Sequence, residues 1–120
     1  MIVEKTATGY SAYHEGEGAY TVGSTFAELQ RNMVEVLNLA LNDTGTTVAL
    51  ADLKIRYDLK SFFEAYKVIN AAALARRVGM PQSLLSQYVS GSKRPSSKQT
   101  HRILEGVRAV GRELAAMDFV

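Results

Sequence analysis

Gln82, Ser83, Ser86 and Gln87 are four uncharged hydrogen-bonding residues within six positions, spaced to share one broad side of a helix. Side chains of this kind read the edges of DNA bases. Lys93 and Arg94 follow closely and are suited to phosphate, the contact that positions a reading element without specifying sequence. Arg76, Arg77 and Lys98 border the same stretch; a solvated face competes with phosphate contact for all five bases, and contact is favoured most for Lys93 and Arg94. Other chemistry finds little material. His14 and His101 stand far apart with no spacing for a metal site, and there is no Cys for a thiolate ligand or nucleophile. No glycine-rich phosphate loop and no Ser/His/Asp order occurs. The expectation is a binding protein, not an enzyme, with no cofactor and no metal.

The elements that must carry these residues are two short helices and a tight turn. Asn70 is a good N-cap, after which Leu74, Ala75 and Val78 fall on one helical face. Gly79 suits a left-handed stop, and Pro81 is tolerated at the start of the next helix. That second helix turns Leu85, Tyr88 and Val89 inward and ends at Gly91. Ala75 is small where two crossing helices touch. This is the layout of a helix-turn-helix, whose second helix enters the major groove.

The Leu74-Ala75-x-x-x-Gly79 run, the apolar Leu85 and the closing Gly91-x-x-Arg94-Pro95 resemble the helix-turn-helix of phage-repressor-like regulators. The resemblance implies an operator of double-stranded DNA. Downstream, Ser96 and Gln99 read as a capping box. Thr100, Ile103, Val107, Val110, Leu114 and Met117 then repeat with a period of about 3.5, the seam of paired helices. Packing on the helix-turn-helix and pairing with a second copy both account for that seam.

The first half has a different rhythm. Met1 to Thr6, Tyr10 to His14 and Ala19 to Val22 are short β-prone runs separated by Thr8-Gly9 and Glu15-Gly16-Glu17-Gly18, which reads as an antiparallel meander. Thr25 and Glu28 make a capping box for a helix whose stripe is Phe26, Leu29, Met33, Val36, Leu37, Ala40 and Leu41. Asn42-Asp43-Thr44-Gly45 stops it, and Leu53 to Tyr57 alternates as a fourth strand. Asp58 caps a helix expected over Leu59 to Val68. The fold expected is α+β: a β-β-β-α-β domain over residues 1–58, then an all-α domain over residues 59–120.

The strand order, with Gly9-Tyr10 opening the second strand and Thr21-Val22-Gly23-Ser24-Thr25-Phe26-Ala27-Glu28 leading into the helix, resembles the N-terminal domain of HicB antitoxins. That domain is a partial ribonuclease-H-like fold. This chain carries Glu15-Gly16-Glu17-Gly18 where family members have a Pro and a Cys-containing turn, and Ser24 where they have Asp. A ribonuclease-H-like nuclease needs clustered carboxylates, for which only Glu4, Glu28 and Glu35 stand in the regular elements. The whole layout resembles antitoxins of type II toxin–antitoxin systems. The resemblance implies a HicA-like toxin as partner, a small basic mRNA-cleaving ribonuclease, and repression of the shared operon by an oligomer. Tyr10, Tyr13 and Tyr20 are the candidate toxin contacts, with sheet core as the competing role. A free-standing helix-turn-helix regulator, with an oligomerisation or sensing domain in front, is the alternative.

Charge supports two partners. Residues 1–58 hold eight acids and four bases, a net −4; residues 59–120 hold ten bases and four acids, a net +6. A basic half suits phosphate, and an acidic half suits a basic protein. The 120 residues are 47% hydrophobic, with no run near the roughly 18–20 apolar residues of a membrane span and no signal-peptide layout. With no Cys as well, a cytoplasmic location is expected, and a single short reading helix per chain calls for a homodimer or higher oligomer.

Overall fold

Glycine turns set the first three strands. The amide of Thr6 donates to the Gly9 carbonyl at 2.8 Å, and Gly18, in a left-handed conformation, returns its amide to Glu15. Strands β1 (Ile2–Lys5), β2 (Tyr10–His14) and β3 (Ala19–Gly23) therefore run antiparallel in sequence. Helix α1 (Phe26–Ala40) crosses over, and β4 (Arg56–Tyr57) enters parallel to β1, giving the sheet order β3-β2-β1-β4. Short 3-10 turns at Asn42–Thr44 and Leu50–Asp52 link α1 to β4. Four further helices follow: α2 (Leu59–Ala65), α3 (Ala71–Val78), α4 (Gln82–Ser90) and α5 (Ser97–Ala115). This computed structural model describes residues 1–120 and is a mixed α+β chain.

Two compact units divide it, Met1–Ala65 and Tyr66–Val120. The boundary expected at residue 58 thus moves past α2, for a physical reason. Ser61 is buried, its hydroxyl accepts from the Lys5 amide at 2.7 Å, and Phe63 is buried beside it, so α2 belongs to the sheet. Asp58 caps α2 as expected, accepting from the Ser61 amide at 2.7 Å. The helix stops at Ala65 and not at Val68. A turn from Tyr66 to Ile69 intervenes, and Asn70 must be extended to cap α3.

In the first unit Leu29, Met33 and Leu37 of α1 pack on Val3, Tyr10, Ala12 and Ala19 of the sheet. Ala40, placed in the apolar stripe by its spacing, is exposed at the helix end. The fourth strand is two residues long where five alternate. The register pairs Ile2 with Arg56 and Val3 with Tyr57, which leaves Leu53 and Ile55 ahead of β1, packed on the core cluster instead. Aromatic rings link α2 to this core, from Phe62 through Tyr57 and Phe26 to Tyr10, with centroids 5.6–6.1 Å apart.

The capping box at Thr25 has one arm of the expected two. The Thr25 hydroxyl accepts from the Glu28 amide at 3.1 Å, but the Glu28 carboxylate reaches one residue further back and accepts from the Ser24 hydroxyl at 2.6 Å. The Ser24 hydroxyl and backbone, aided by Arg31, hold the Glu28 carboxyl below its ordinary value against a small opposing effect of burial. A lowered native value means this contribution is complete above the ordinary carboxylate range and is lost as pH falls through the native value.

Gly9 and Gly23 have no room for side chains. A Cβ at Gly23 would stand 2.5 Å from the Leu29 amide nitrogen, and one at Gly9 would stand 2.3 Å from the Gly23 carbonyl oxygen. Backbone presses on backbone at the point where α1 leaves the sheet. Gly23→Ala should therefore lower stability by about 1–3 kcal/mol, as overpacking does, whereas Gly16→Ala, facing only the His14 ring, should change it far less. Urea denaturation of the two variants checks the difference.

Candidate nucleic-acid interface

Helix α3 begins where Asn70 accepts from the Ala73 amide at 3.0 Å and ends where Gly79 turns left-handed at φ 72°. The Met80 amide then returns to the Ala75 carbonyl at 2.9 Å, and the Met80 side chain is buried, closing the helix with a hydrophobic cap. Pro81 caps α4 and does not stand inside it. Its fixed φ suits the position and its carbonyl receives the Leu84 and Leu85 amides. Leu74, Ala75, Met80, Leu85, Tyr88 and Ile103 are the buried residues of this unit. Val89, expected inside, is half-buried.

That packing leaves the expected reading residues outward. Gln82, Ser83, Ser86 and Gln87 are all exposed on α4, and none of their side chains forms a hydrogen bond within the chain. Gln82, Ser83 and Ser86, with Leu85, Val89 and the Ala71 and Ala72 methyls of α3, line an open groove of about 430 Å³. The small alanines at the start of α3 keep it open.

Lys93 and Arg94 are exposed and have no ion-pair partner, as are Arg76 and Lys98. Arg77 differs, because it is paired with Glu113 of α5. The Gln87 carbonyl ties the loop that carries Lys93 to α4, accepting from the Ser92 hydroxyl at 3.3 Å and the Lys93 amide at 3.2 Å beside an intrahelical bond from the Ser90 hydroxyl at 3.1 Å. Residue spacing does not reveal this clasp, although a Ser-Gly-Ser-Lys run after a helix is rich in local hydrogen-bonding groups.

Two α5 residues are also silent in the sequence pattern. Arg102 donates to the Gly79 carbonyl at 3.0 Å, which fixes the turn between α3 and α4. Gly106 faces α3, where an added Cβ would stand 2.3 Å from Val78 Cγ1. A glycine inside a long amphipathic helix marks such an approach. Of the expected α5 seam, Ile103 is buried, Val107 and Val110 are half-buried, and Thr100, Leu114 and Met117 are exposed. Thr100 lies in the first turn, beyond the contact with α3. Ser96 accepts from the Gln99 amide at 3.2 Å, one arm of its capping box.

The expected toxin contacts divide. Tyr10 is a core residue, 8% exposed, with its ring edge-on to Phe26 at 5.6 Å, because β2 turns it toward α1. Tyr13 is half-buried and pairs across the sheet with Tyr20, which is 62% exposed. Both belong to the face that α1 does not cover, next to the exposed Glu15–Glu17 turn. The His14 imidazole Nδ1 accepts from the Glu17 amide at 3.1 Å and so shapes that turn. No group of three or more His, Asp or Glu stands close enough to hold a metal ion, and no helix is long and apolar enough to cross a membrane. Comparisons with protein-family models, with curated proteins and with solved structures return no match.

The Gly106 contact makes a reciprocal test possible. Gly106→Ala should destabilise the second unit by about 1–3 kcal/mol through overpacking. Adding Val78→Ala should recover part of that loss, because the clashing methyl is gone; a double-mutant cycle by thermal unfolding measures the coupling.

Proposed function

We propose that residues 66–120 are a helix-turn-helix that reads double-stranded operator DNA through α4, and that residues 1–65 bind a basic partner protein. The chain is then a cytoplasmic HicB-type antitoxin that neutralises a HicA-like, mRNA-cleaving toxin and represses its own operon as a homo-oligomer. One observation carries the DNA reading: four unbonded, exposed hydrogen-bonding side chains lie along α4, and the unpaired Lys93 and Arg94 follow it, Lys93 held to the helix through its amide. Polar groups with no internal partner are ready to bond base edges, and free cations release phosphate counterions. The second unit holds nine bases and three acids, which favours any phosphate backbone it meets.

The first unit holds nine acids and five bases. Its exposed Tyr20, the neighbouring Tyr13 and the Glu15–Glu17 turn make an aromatic surface with acidic borders. Acidic charge speeds encounter with a basic toxin, and tyrosines supply the contact that prolongs the complex. This surface favours an antitoxin over a free-standing regulator whose first half only oligomerises or senses a ligand. In this reading the first unit acts by binding its partner.

Gln82→Ala should cost about 1–3 kcal/mol on the operator and leave binding to random DNA unchanged. Lys93→Ala should weaken binding to both and reduce the salt slope by about one unit. Equal losses on operator and random DNA for Gln82→Ala would remove α4 from the reading role. Toxin neutralisation has its own assay, growth of cells that express the toxin encoded beside this chain. Tyr20→Ala should impair rescue and keep operator binding, whereas unimpaired rescue would place the partner elsewhere.

A further inference from the structure

We infer that the free edge of β3 takes up an extended segment of the basic partner, one whose side chains alternate between apolar and cationic. This rests on the reading of residues 1–65 as the partner-binding unit and gives that unit a mode of attachment. β3 is the outermost strand of the sheet, and its register with β2 runs unbroken from Ala19 to Gly23. It has no Pro, no Lys and no bulge, the devices by which edge strands are kept from pairing. The Asn32 side chain donates to the Val22 carbonyl at 2.8 Å, which marks that carbonyl as turned away from β2. Residues two apart in a strand point their backbone groups the same way, so the Tyr20 amide and carbonyl and the Val22 amide face outward as well. No group of the chain meets them. Donors and acceptors repeated at about 6.7 Å are matched by another extended backbone, as in strand addition.

The two sides of this edge decide which side chains the segment must carry. On the open face stand Tyr20 and Val22, 62% and 53% exposed, so alternate residues of the segment lie against apolar surface. On the other face α1 flanks the edge. Asn32 reaches β3, and Glu28 and Glu35, four residues before it and three after, share its side of the helix. Glu28 is held by Ser24, whereas Glu35 is exposed and in no ion pair; Arg31 is turned further from the edge. The intervening residues of the segment therefore meet carboxylates, which favours Lys or Arg. The Glu15–Glu17 turn adds two more carboxylates at the start of the strand. A second copy of this chain suits the edge poorly. Pairing β3 with β3 about a two-fold axis perpendicular to the sheet would bring the two acidic sides of α1 together.

The test uses the full chain and a blocked ten-residue peptide that alternates valine and lysine. Calorimetry should show binding, and amide hydrogen exchange at Tyr20 and Val22 should slow while exchange in α4 and α5 stays unchanged. Glutamate in place of the lysines should weaken binding at least about tenfold. N-methylation of the valines and of the lysines, in separate peptides, should differ in effect, because only one set of amides faces β3. On the chain, Val22→Pro removes an outward amide at an edge position that tolerates Pro, and should abolish binding where Val22→Ala keeps most of it. Should Val22→Pro not fold, the N-methylated peptides carry the same test. No peptide binding, equal loss from the two N-methylated peptides, or binding with exchange at Tyr20 and Val22 unslowed would each overturn strand addition. Slow, concentration-dependent exchange at Tyr20 in the chain alone would make a second copy the occupant and overturn the choice of partner. If the peptide fails while Tyr20→Ala still impairs growth rescue, strand addition falls and the partner-binding reading stands.

Discussion

Helix α3 is held at its C-terminal end by three contacts that have to be met together. Gly79 must be left-handed, the Met80 amide must reach back to Ala75, and Arg102 must cross from α5 to the Gly79 carbonyl. One turn further along α5, Gly106 lets that helix approach Val78 so closely that a methyl group would not fit. The direction in which α4 leaves this junction depends on all of them, since Pro81 starts the helix with a fixed φ directly after the turn. A bulkier residue at position 106, or a β-branched residue at position 79, would turn the Gln82–Gln87 face away while the helices themselves still formed. The orientation of the candidate reading face is in this sense a consequence of one packed corner.

The first unit answers a different constraint. Its sheet has one face covered by α1 and one face left open, and only the covered face needs continuous apolar packing. Alternation along β2 sends Tyr10 and Ala12 to α1, and Ser11 and Tyr13 to the other side. The same rule places Tyr20 and Val22 outward on β3. The open face is thus free to carry recognition chemistry at small cost to the fold, and its acidic borders differ in sign from the free cations beside α4. Two surfaces of opposite charge on separate compact units suit two partners better than one extended ligand.

Much of this is legible from the chain because local chemistry and tertiary structure agree there. Asn70, Gly79, Gly91 and Asp58 act as the caps and stops that their types suggest, and Leu85 and Tyr88 are buried where helical spacing puts them. The misses share one cause, namely that pairing depends on what lies opposite. Leu53 to Tyr57 alternates like a strand, yet the register with β1 leaves only Arg56 and Tyr57 a partner. Tyr10 and Tyr20 are alike in composition, and only the face each strand position takes separates core from surface. The clasp on the Gln87 carbonyl, the Arg102 contact and the division of α5 between α3 and solvent all arise from residues distant in sequence or from loop conformation. Periodicity reports neither.

The central claim is that α4 reads base sequence. Selection from a pool of random duplex DNA by the full-length chain tests it with no operator assumed. The account predicts enrichment of a two-fold sequence whose half-sites lie about one helical turn, or a multiple of it, apart. Retention of DNA with no sequence enriched, at a salt concentration where binding persists, would contradict it and leave the basic unit as a general polyanion binder.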